Sequence, residues 1–157
     1  MSNLSPVEKV GLRLLRVHDF IYQKSGGRIG HTIPGVPPSL LLHTIGAKTG
    51  ATRVNTLTYA RDGARYLVVA SNGGANRYPA WYHNLRAHPD IEINVGTTRL
   101  PVHAEILMPD APDYPRLWDV VNANNSNRYT AYQRRTDRPI AIIALSPRPA
   151  STAGPAS

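Results

Sequence analysis

The sequence contains no cysteine and no long apolar run, and each absence excludes a class of protein. Without cysteine there is no disulfide framework, iron–sulfur cluster, thiolate metal site or cysteine nucleophile. No apolar stretch approaches the roughly 18 residues that cross a bilayer, and the N-terminus lacks the short apolar stretch of a secretory signal. We therefore expect a cytoplasmic protein whose redox chemistry would come from a bound cofactor.

Acidic residues are also scarce. The 157 residues include 18 Lys and Arg against 10 Asp and Glu, which gives a formal net charge of +8. No acid occurs between Asp19 and Asp62, whereas that stretch contains Lys24, Arg28, Lys48, Arg53 and Arg61. This distribution indicates an anionic partner, although ordinary solvated charges would give the same composition.

The chain is long enough for one hydrophobic core, so one principal domain is expected. Residues 1–30 are predicted to form an amphipathic helix, over Ser5–Lys24, and a Gly/Pro-rich linker. Residues 31–147 are predicted to form the domain, and residues 148–157 a disordered tail.

The predicted N-terminal helix has two interpretations. Its apolar stripe fits packing on the domain. It is bordered by Lys9, Arg13, Arg16 and Lys24, a pattern also compatible with peripheral contact to an anionic membrane surface, such as the inner face of the plasma membrane.

Strand signals dominate the domain. Alternating or continuous apolar runs predict strands at residues 40–44, 54–59, 66–70, 91–95, 100–106 and 140–145. Asp62-Gly63 predicts a hairpin that pairs the second and third of these strands, and Gly96-Thr97 predicts another hairpin. Pro101 places its strand near a sheet edge.

Two helices are predicted around the strands, over residues 79–87 and 110–122. The buried face of the second helix is expected to contain Tyr114, Leu117, Trp118 and Val121. Six strands with a few peripheral helices favour a mainly β (α+β) fold, a Greek-key or split β-barrel, over a parallel α/β sheet.

A cationic turn follows the first strand, where Gly46 and Gly50 flank Lys48 and Arg53 begins the next strand. Backbone N–H groups, an ammonium and a guanidinium can together bind a phosphate or carboxylate. The spacing is not that of a P-loop, and no helix is expected after the turn. A basic hairpin turn with solvated charges is the alternative interpretation.

A second turn, Ser71-Asn72-Gly73-Gly74, follows the third strand and leads into the first helix of the domain. Its two glycines allow a ligand to approach the backbone, and a planar ring can lie there. Tyr82 is expected to pack in the core, whereas Trp81 fits either packing or ligand contact.

Other chemistries find little support. The six histidines show no metal-type spacing, so no metal site is predicted. No nucleophile-elbow pattern surrounds Ser71. The aromatic residues flank glycine turns rather than interleave with arginines, so no nucleic-acid site is predicted.

Three segments resemble the deazaflavin (F420)-dependent nitroreductase family: LLLHTIGAKTGATRVNTLTYARDGARYLVVASNGG, YPAWYHNLRAHPDIEINVG and YTAYQRRTDRPIAIIALSP. The resemblance covers roughly residues 39–147 in order and with near-continuous spacing. It implies a split β-barrel, similar to that of pyridoxamine phosphate oxidases, that binds coenzyme F420 (F420H2 when reduced).

The resemblance also implies roles for individual residues. Cofactor contacts would come from Lys48, Thr49, Gly50, Arg53, Thr56, Leu57, Ser71, Asn72, Gly73, Gly74, Trp81 and Asn84. Lys48 and Arg53 would bind the anionic tail, and Ser71–Gly74 would line the ring. Thr56 stands where the family usually has proline.

On the acceptor side, Tyr129 and Tyr132 match aromatic positions of the family, whereas Ser126 stands where many members have a third aromatic residue. A hydroxyl of these three, or a water, would protonate or hydrogen-bond the acceptor. The expected activity is hydride transfer from F420H2 to a quinone, nitroaromatic or activated enone. The alternatives are an FMN- or haem-binding split barrel and a non-catalytic F420 carrier. A homodimer is expected from fold analogy alone.

Overall fold

The computed structural model describes residues 37–149. Seven strands, three helices and one 3₁₀ turn form there. The strands are β1 (Ser39–Ile45), β2 (Thr52–Thr58), β3 (Ala60–Asp62), β4 (Arg65–Val69), β5 (Asp90–Val95), β6 (Thr98–Leu107) and β7 (Ile142–Pro147). The helices are α1 (Ala80–Ala87), α2 (Tyr114–Asn124) and α3 (Arg128–Gln133), and the 3₁₀ turn is Asn72–Gly74.

The strands form one antiparallel sheet in the order β2-β1-β5-β6-β7-β4-β3. β2 and β3 lie at opposite ends of this order, yet only Tyr59 separates them along the chain. The sheet must therefore curl until its ends approach each other, as in a barrel. The predicted mainly β split barrel with peripheral helices is confirmed.

Both predicted glycine turns form. Gly63 connects β3 to β4 with a φ of 59°, and Gly96 connects β5 to β6 with a φ of 60°. Glycine adopts such angles without a steric penalty. The predicted pairing at the first turn was wrong, however, because β2 pairs with β1 and only the three residues of β3 pair with β4.

Pro101 lies in a central strand, contrary to the prediction, because β6 lies between β5 and β7. Its carbonyl oxygen accepts a hydrogen bond from the backbone N–H of Arg148 at 2.9 Å. The proline nitrogen faces the same side, where β7 ends at Pro147. The missing N–H therefore affects only the end of the β6–β7 pairing.

Two hydrophobic clusters lie on opposite faces of β4 and β7. Val68 and Ile143 belong to the cluster that fills the barrel and includes the buried face of α1. Leu67 and Ile142 belong to the cluster beneath α2 and α3. Successive side chains of a strand point to opposite faces, so these two strands support both layers.

The helices differ from the prediction in three ways. α2 begins at Tyr114 rather than Asp110, and Trp118 is half-buried rather than buried. The sequence pattern did not predict α3. Ser126 and Asn127, with φ of 52° and 60°, separate it from α2.

Several predictions concern residues that the structure does not describe. These include the helix over Ser5–Lys24, the linker up to residue 36 and the tail from residue 150. Within residues 37–149, no helix is both long and apolar enough to cross a membrane.

Candidate functional site

An open groove of about 1150 Å³ lies between the β1–β2 turn, residues 72–79 and helix α1. It brings together six of the residues predicted to bind the cofactor, namely Lys48, Thr49, Arg53, Asn72, Trp81 and Asn84. The two glycine-containing turns singled out in the sequence thus border one site.

The groove is cationic. Its lining includes Lys48, Arg53 and Arg77, and none of the residues lining it is Asp or Glu. Within residues 37–149, no carboxylate forms an ion pair with these three cations. An anion with more than one negative charge would therefore be attracted along the groove.

The backbone of the β1–β2 turn is closed by hydrogen bonds. The Gly46 N–H donates to the Ala51 oxygen at 2.7 Å, and the Gly50 N–H donates to the Gly46 oxygen at 2.8 Å. Gly50 has a φ of 72°. The Thr49 hydroxyl oxygen accepts the Ala51 N–H at 3.2 Å. Lys48 is therefore presented on an internally bonded loop.

Asn84 links this turn to α1. Its side-chain oxygen accepts the Ala47 N–H at 3.0 Å, and its side-chain nitrogen donates to the Thr44 hydroxyl at 3.2 Å. Thr44 is fully buried. Asn84 lines the groove and also fixes the basic turn against the helix.

The second turn contacts the groove through Asn72, whereas Ser71, Gly73 and Gly74 do not line it. Gly74 is buried beside α3, where an added Cβ would lie 2.7 Å from the Tyr132 backbone oxygen. Gly73 has a φ of 64° and open space around it. Of the two glycines, Gly74 permits close packing of α3, and Gly73 permits the turn.

Trp81 and Tyr82 are both buried in the barrel cluster. The expected packing role of Tyr82 is confirmed, and its ring stacks on that of Tyr78 with centroids 4.1 Å apart. Trp81 also lines the groove, so its side chain contacts both the core and the site.

Gly50, Thr56 and Leu57 are near this region but are not among the residues that line the groove. Thr56 and Leu57 lie on β2 opposite Leu41 and Leu40 of β1, and both are half-buried. Leu57 packs against the barrel cluster.

The three predicted acceptor-side residues lie on or before α3 rather than in the groove lining. Tyr129 is buried in the cluster beneath the helices, and this burial raises the pKa of Tyr129 to about 12. Tyr132 is half-buried, with its ring 6.3 Å from that of Tyr129. Ser126 is exposed at the α2–α3 corner.

The asparagines before Ser126 hold this corner. The Asn122 side chain accepts hydrogen bonds from the Thr130 N–H and hydroxyl at 3.0 and 3.1 Å. The Asn124 side chain donates to the Tyr59 oxygen at 2.9 Å. The polar run therefore has a structural role.

Asn76, Arg77 and His83 also line the groove, although no sequence pattern indicated a role for them. The same holds for Arg138, whose guanidinium bonds to backbone oxygens around the second turn. No spacing rule signals a residue whose partners are carbonyls more than 60 positions away.

The fold is that of a split β-barrel protein, and the groove is a candidate site for an anion with more than one negative charge. The family model described as F420H(2)-dependent quinone reductase matches residues 14–147. The chain belongs to this family.

Individual comparisons agree. The chain is 62% identical over 139 residues to an F420H(2)-dependent quinone reductase of Mycobacterium tuberculosis strain H37Rv, covering 88% of this chain and 93% of the relative. A solved F420-H2 dependent reductase, FDR-A, has a TM-score of 0.62 and 31% identity, covering 69% of this chain and 94% of that one. A domain-swapped dimer has a TM-score of 0.65 and 28% identity, covering 90% and 100%. The resemblance to deazaflavin-dependent split barrels is confirmed.

Proposed function

We propose that this chain is an F420H2-dependent reductase that binds the cofactor in the cationic groove and transfers hydride to a quinone. The observation that carries this proposal is the groove itself, with three cations and no carboxylate in its lining. The cofactor's tail contains a phosphate and glutamate carboxylates, so the donor set fits it.

In this proposal Lys48 and Arg53 bind the tail, while Thr49 and Gly50 shape the turn that presents them. Asn84 keeps the turn against α1. Asn72 and Trp81 position the ring, and Ser71, Gly73 and Gly74 form the turn that holds Asn72. Thr56 and Leu57 would contact the cofactor from β2. Reduced F420 supplies the hydride when bound. The protein's contribution is orientation and exclusion of water.

On the acceptor side, we assign Tyr129, Tyr132 and Ser126 to hydrogen bonding or protonation of the acceptor oxygen. Burial raises the pKa of Tyr129 to about 12, so its hydroxyl is protonated at neutral pH, as in any tyrosine, and is a weaker acid than an exposed phenol. A protonated phenol can donate to an oxygen on which negative charge develops.

The test is binding of oxidised F420, FMN and haem to the purified chain. It is followed by the absorbance of F420H2 during turnover with a menaquinone analogue, a nitroaromatic and an activated enone. We expect F420 binding and quinone-dependent oxidation. Binding without oxidation by a quinone, nitroaromatic or enone would favour a carrier. Preferential binding of FMN or haem would contradict the proposal.

Peripheral membrane contact of an otherwise cytoplasmic enzyme is a further part of the proposal. It rests on the basic border of the N-terminal amphipathic pattern and on the lipid character of a quinone substrate. Co-sedimentation with anionic liposomes, compared with neutral ones, tests it. Equal amounts of protein in the supernatants of the anionic and the neutral liposomes would contradict it.

We also propose a homodimer. Its support is the split-barrel fold and the domain-swapped dimer among the similar solved structures. Light scattering coupled to size-exclusion chromatography measures the mass directly. A mass equal to one chain at micromolar concentration would contradict this assignment.

A further inference from the structure

We propose that Arg138 is a positioning residue that fixes the shape of the second turn, Ser71–Gly74, and through it one wall of the cofactor groove. This inference rests on the proposed function for its link to F420. The geometric part stands on contacts within the protein.

The guanidinium of Arg138 bonds to three backbone oxygens around the turn. Nη1 donates to the Ala70 oxygen at 3.1 Å, Nη2 to the Ser71 oxygen at 2.8 Å, and Nε to the Ala75 oxygen at 2.8 Å. These oxygens lie at both ends of the 3₁₀ turn. The guanidinium holds five N–H donors in a fixed plane, so it can bond to all three oxygens at once.

A second contact extends this effect to α1. The guanidinium carbon of Arg138 lies 4.5 Å from the centroid of the Tyr78 ring, which lines the groove and stacks on Tyr82. The Tyr78 hydroxyl donates to the Pro139 oxygen at 2.7 Å. Arg138 and the residue after it therefore fix the segment that connects the turn to the helix.

The position of Arg138 is itself set by α3. The Gln133 side chain donates to the Thr136 and Arg138 oxygens at 3.1 and 2.9 Å, and it accepts the Ile140 N–H at 3.1 Å. The Thr136 hydroxyl bonds to the Asn76 side-chain oxygen at 2.8 Å. Since α3 also contains Tyr129 and Tyr132, this segment joins the proposed acceptor side to the cofactor side.

Arg148 provides a matched control. It is also a partly buried arginine that donates to backbone oxygens, those of Val102 at 3.0 Å and Ile91 at 3.5 Å. Those oxygens belong to β6 and β5, and none of the three residues lines the groove. If loss of an arginine weakened F420 binding only by lowering stability, the Arg138→Ala and Arg148→Ala variants should therefore lose affinity alike.

The experiment uses the full chain with Arg138→Ala, Arg138→Lys and Arg148→Ala. The dissociation constant of oxidised F420 is measured by fluorescence titration, thermal stability is measured separately, and amide hydrogen exchange follows residues 71–77 without cofactor. We expect Arg138→Ala to weaken F420 binding roughly tenfold and to speed exchange in the turn. Arg138→Lys keeps the positive charge but not the planar set of N–H donors, so it should show most of this loss of affinity. Added methylguanidinium should partly restore F420 binding by Arg138→Ala.

Arg148→Ala should lower the melting temperature while leaving F420 affinity and exchange in the turn unchanged. Unchanged exchange at residues 71–77 in Arg138→Ala would overturn the positioning role. Wild-type F420 affinity in that variant would overturn its link to the cofactor. Failure of the wild-type chain to bind F420 would instead overturn the proposed function, whereas the exchange result would still decide whether Arg138 positions the turn.

Discussion

A Cβ atom added to Gly74 would lie 2.7 Å from the backbone oxygen of Tyr132, so the second turn and helix α3 approach each other as closely as glycine allows. The same atom would lie 3.0 Å from the Cβ of Arg135. Neither atom can move without shifting the backbone of α3 or of the residues directly after it. The proposed cofactor side and acceptor side are therefore packed as one unit.

Gly74→Ala should lower the free energy of unfolding by about 3 kcal/mol, since it combines a strained positive φ with overpacking against α3. Gly73→Ala is the matched control, with a similar φ but no atom within 4 Å of the added Cβ. It should cost about 1 kcal/mol. Urea unfolding measures both, and equal losses would contradict the assigned contact.

Lys48→Ala and Arg53→Ala should each weaken F420 binding roughly tenfold at low salt, because a groove without carboxylates loses one of its three cations. Turnover at saturating cofactor should change less. Added salt should reduce the difference between wild type and variant. Fluorescence titration measures the affinities.

Arg86→Ala is the control for these variants, because Arg86 is exposed on α1 but does not line the groove. It removes the same charge from the same region of the surface. If it weakens F420 binding as much as Lys48→Ala does, the net charge rather than the groove determines affinity.

Asp62→Asn should destabilise the chain by about 1 kcal/mol at neutral pH. Hydrogen bonds from Arg116 and Arg65 hold the pKa of the Asp62 carboxyl far below its usual range. A depressed folded-state pKa stabilises the fold above the unfolded value, about 3.9, and this stabilisation is lost as the pH falls further. The difference between wild type and variant should therefore stay constant from pH 7 to about pH 5 and shrink as the pH falls below about 4. Urea unfolding at several pH values between about 7 and 3 measures it.

Asp119→Asn is the control for the charge change, since Asp119 is exposed on α2 and has no ion pair among residues 37–149. Its stability should stay close to wild type across the same pH range. A pH-independent loss in Asp62→Asn would show that the carboxylate charge is not what stabilises the β3–α2 contact.

Tyr129→Phe should lower kcat roughly 100-fold if its hydroxyl is the donor to the acceptor, and Tyr132→Phe identifies the alternative donor. Because burial raises the pKa of Tyr129 to about 12, ionisation of this hydroxyl should not lower wild-type kcat up to about pH 10, where an ordinary phenol is half ionised. Tyr66→Phe, in the barrel cluster, controls for loss of a buried hydroxyl. Steady-state rates with a menaquinone analogue measure the effect, and three equal rates would exclude a tyrosine donor.

Local signals predicted the parts of the fold that depend on neighbouring residues. Gly63 and Gly96 turn the chain where they were expected to, because a positive φ is a property of the residue itself. The partner of β2 depended instead on which distant strand offered a matching edge. That choice belongs to the whole sheet, so the Asp-Gly signal gave the right turn and the wrong pair of strands.

The candidate site likewise contains residues that local sequence signals predicted and residues that they did not. Lys48 and Arg53 lie close together in the sequence, so their common location in the groove follows from one turn. Arg138 contributes through hydrogen bonds to backbone oxygens. Every residue has such an oxygen, so these partners leave no pattern in the sequence. Ser126 lies at a corner with positive φ that the Asn-rich run did not signal. Its distance from the groove lining could not be inferred from spacing.

The central place of β7 has a consequence for biosynthesis. The hairpin of β3 and β4 joins the rest of the sheet through β7, which is translated after the other strands of residues 37–149. A nascent chain in which β7 has not yet emerged has the strands for the β1–β2 and β5–β6 hairpins, but it lacks the strand that connects β4, and with it the second turn, to the rest of the sheet. Binding of a cofactor in the groove is therefore expected only after β7 has been synthesised, and premature termination before residue 142 would leave hairpins with unpaired edges that are open to aggregation.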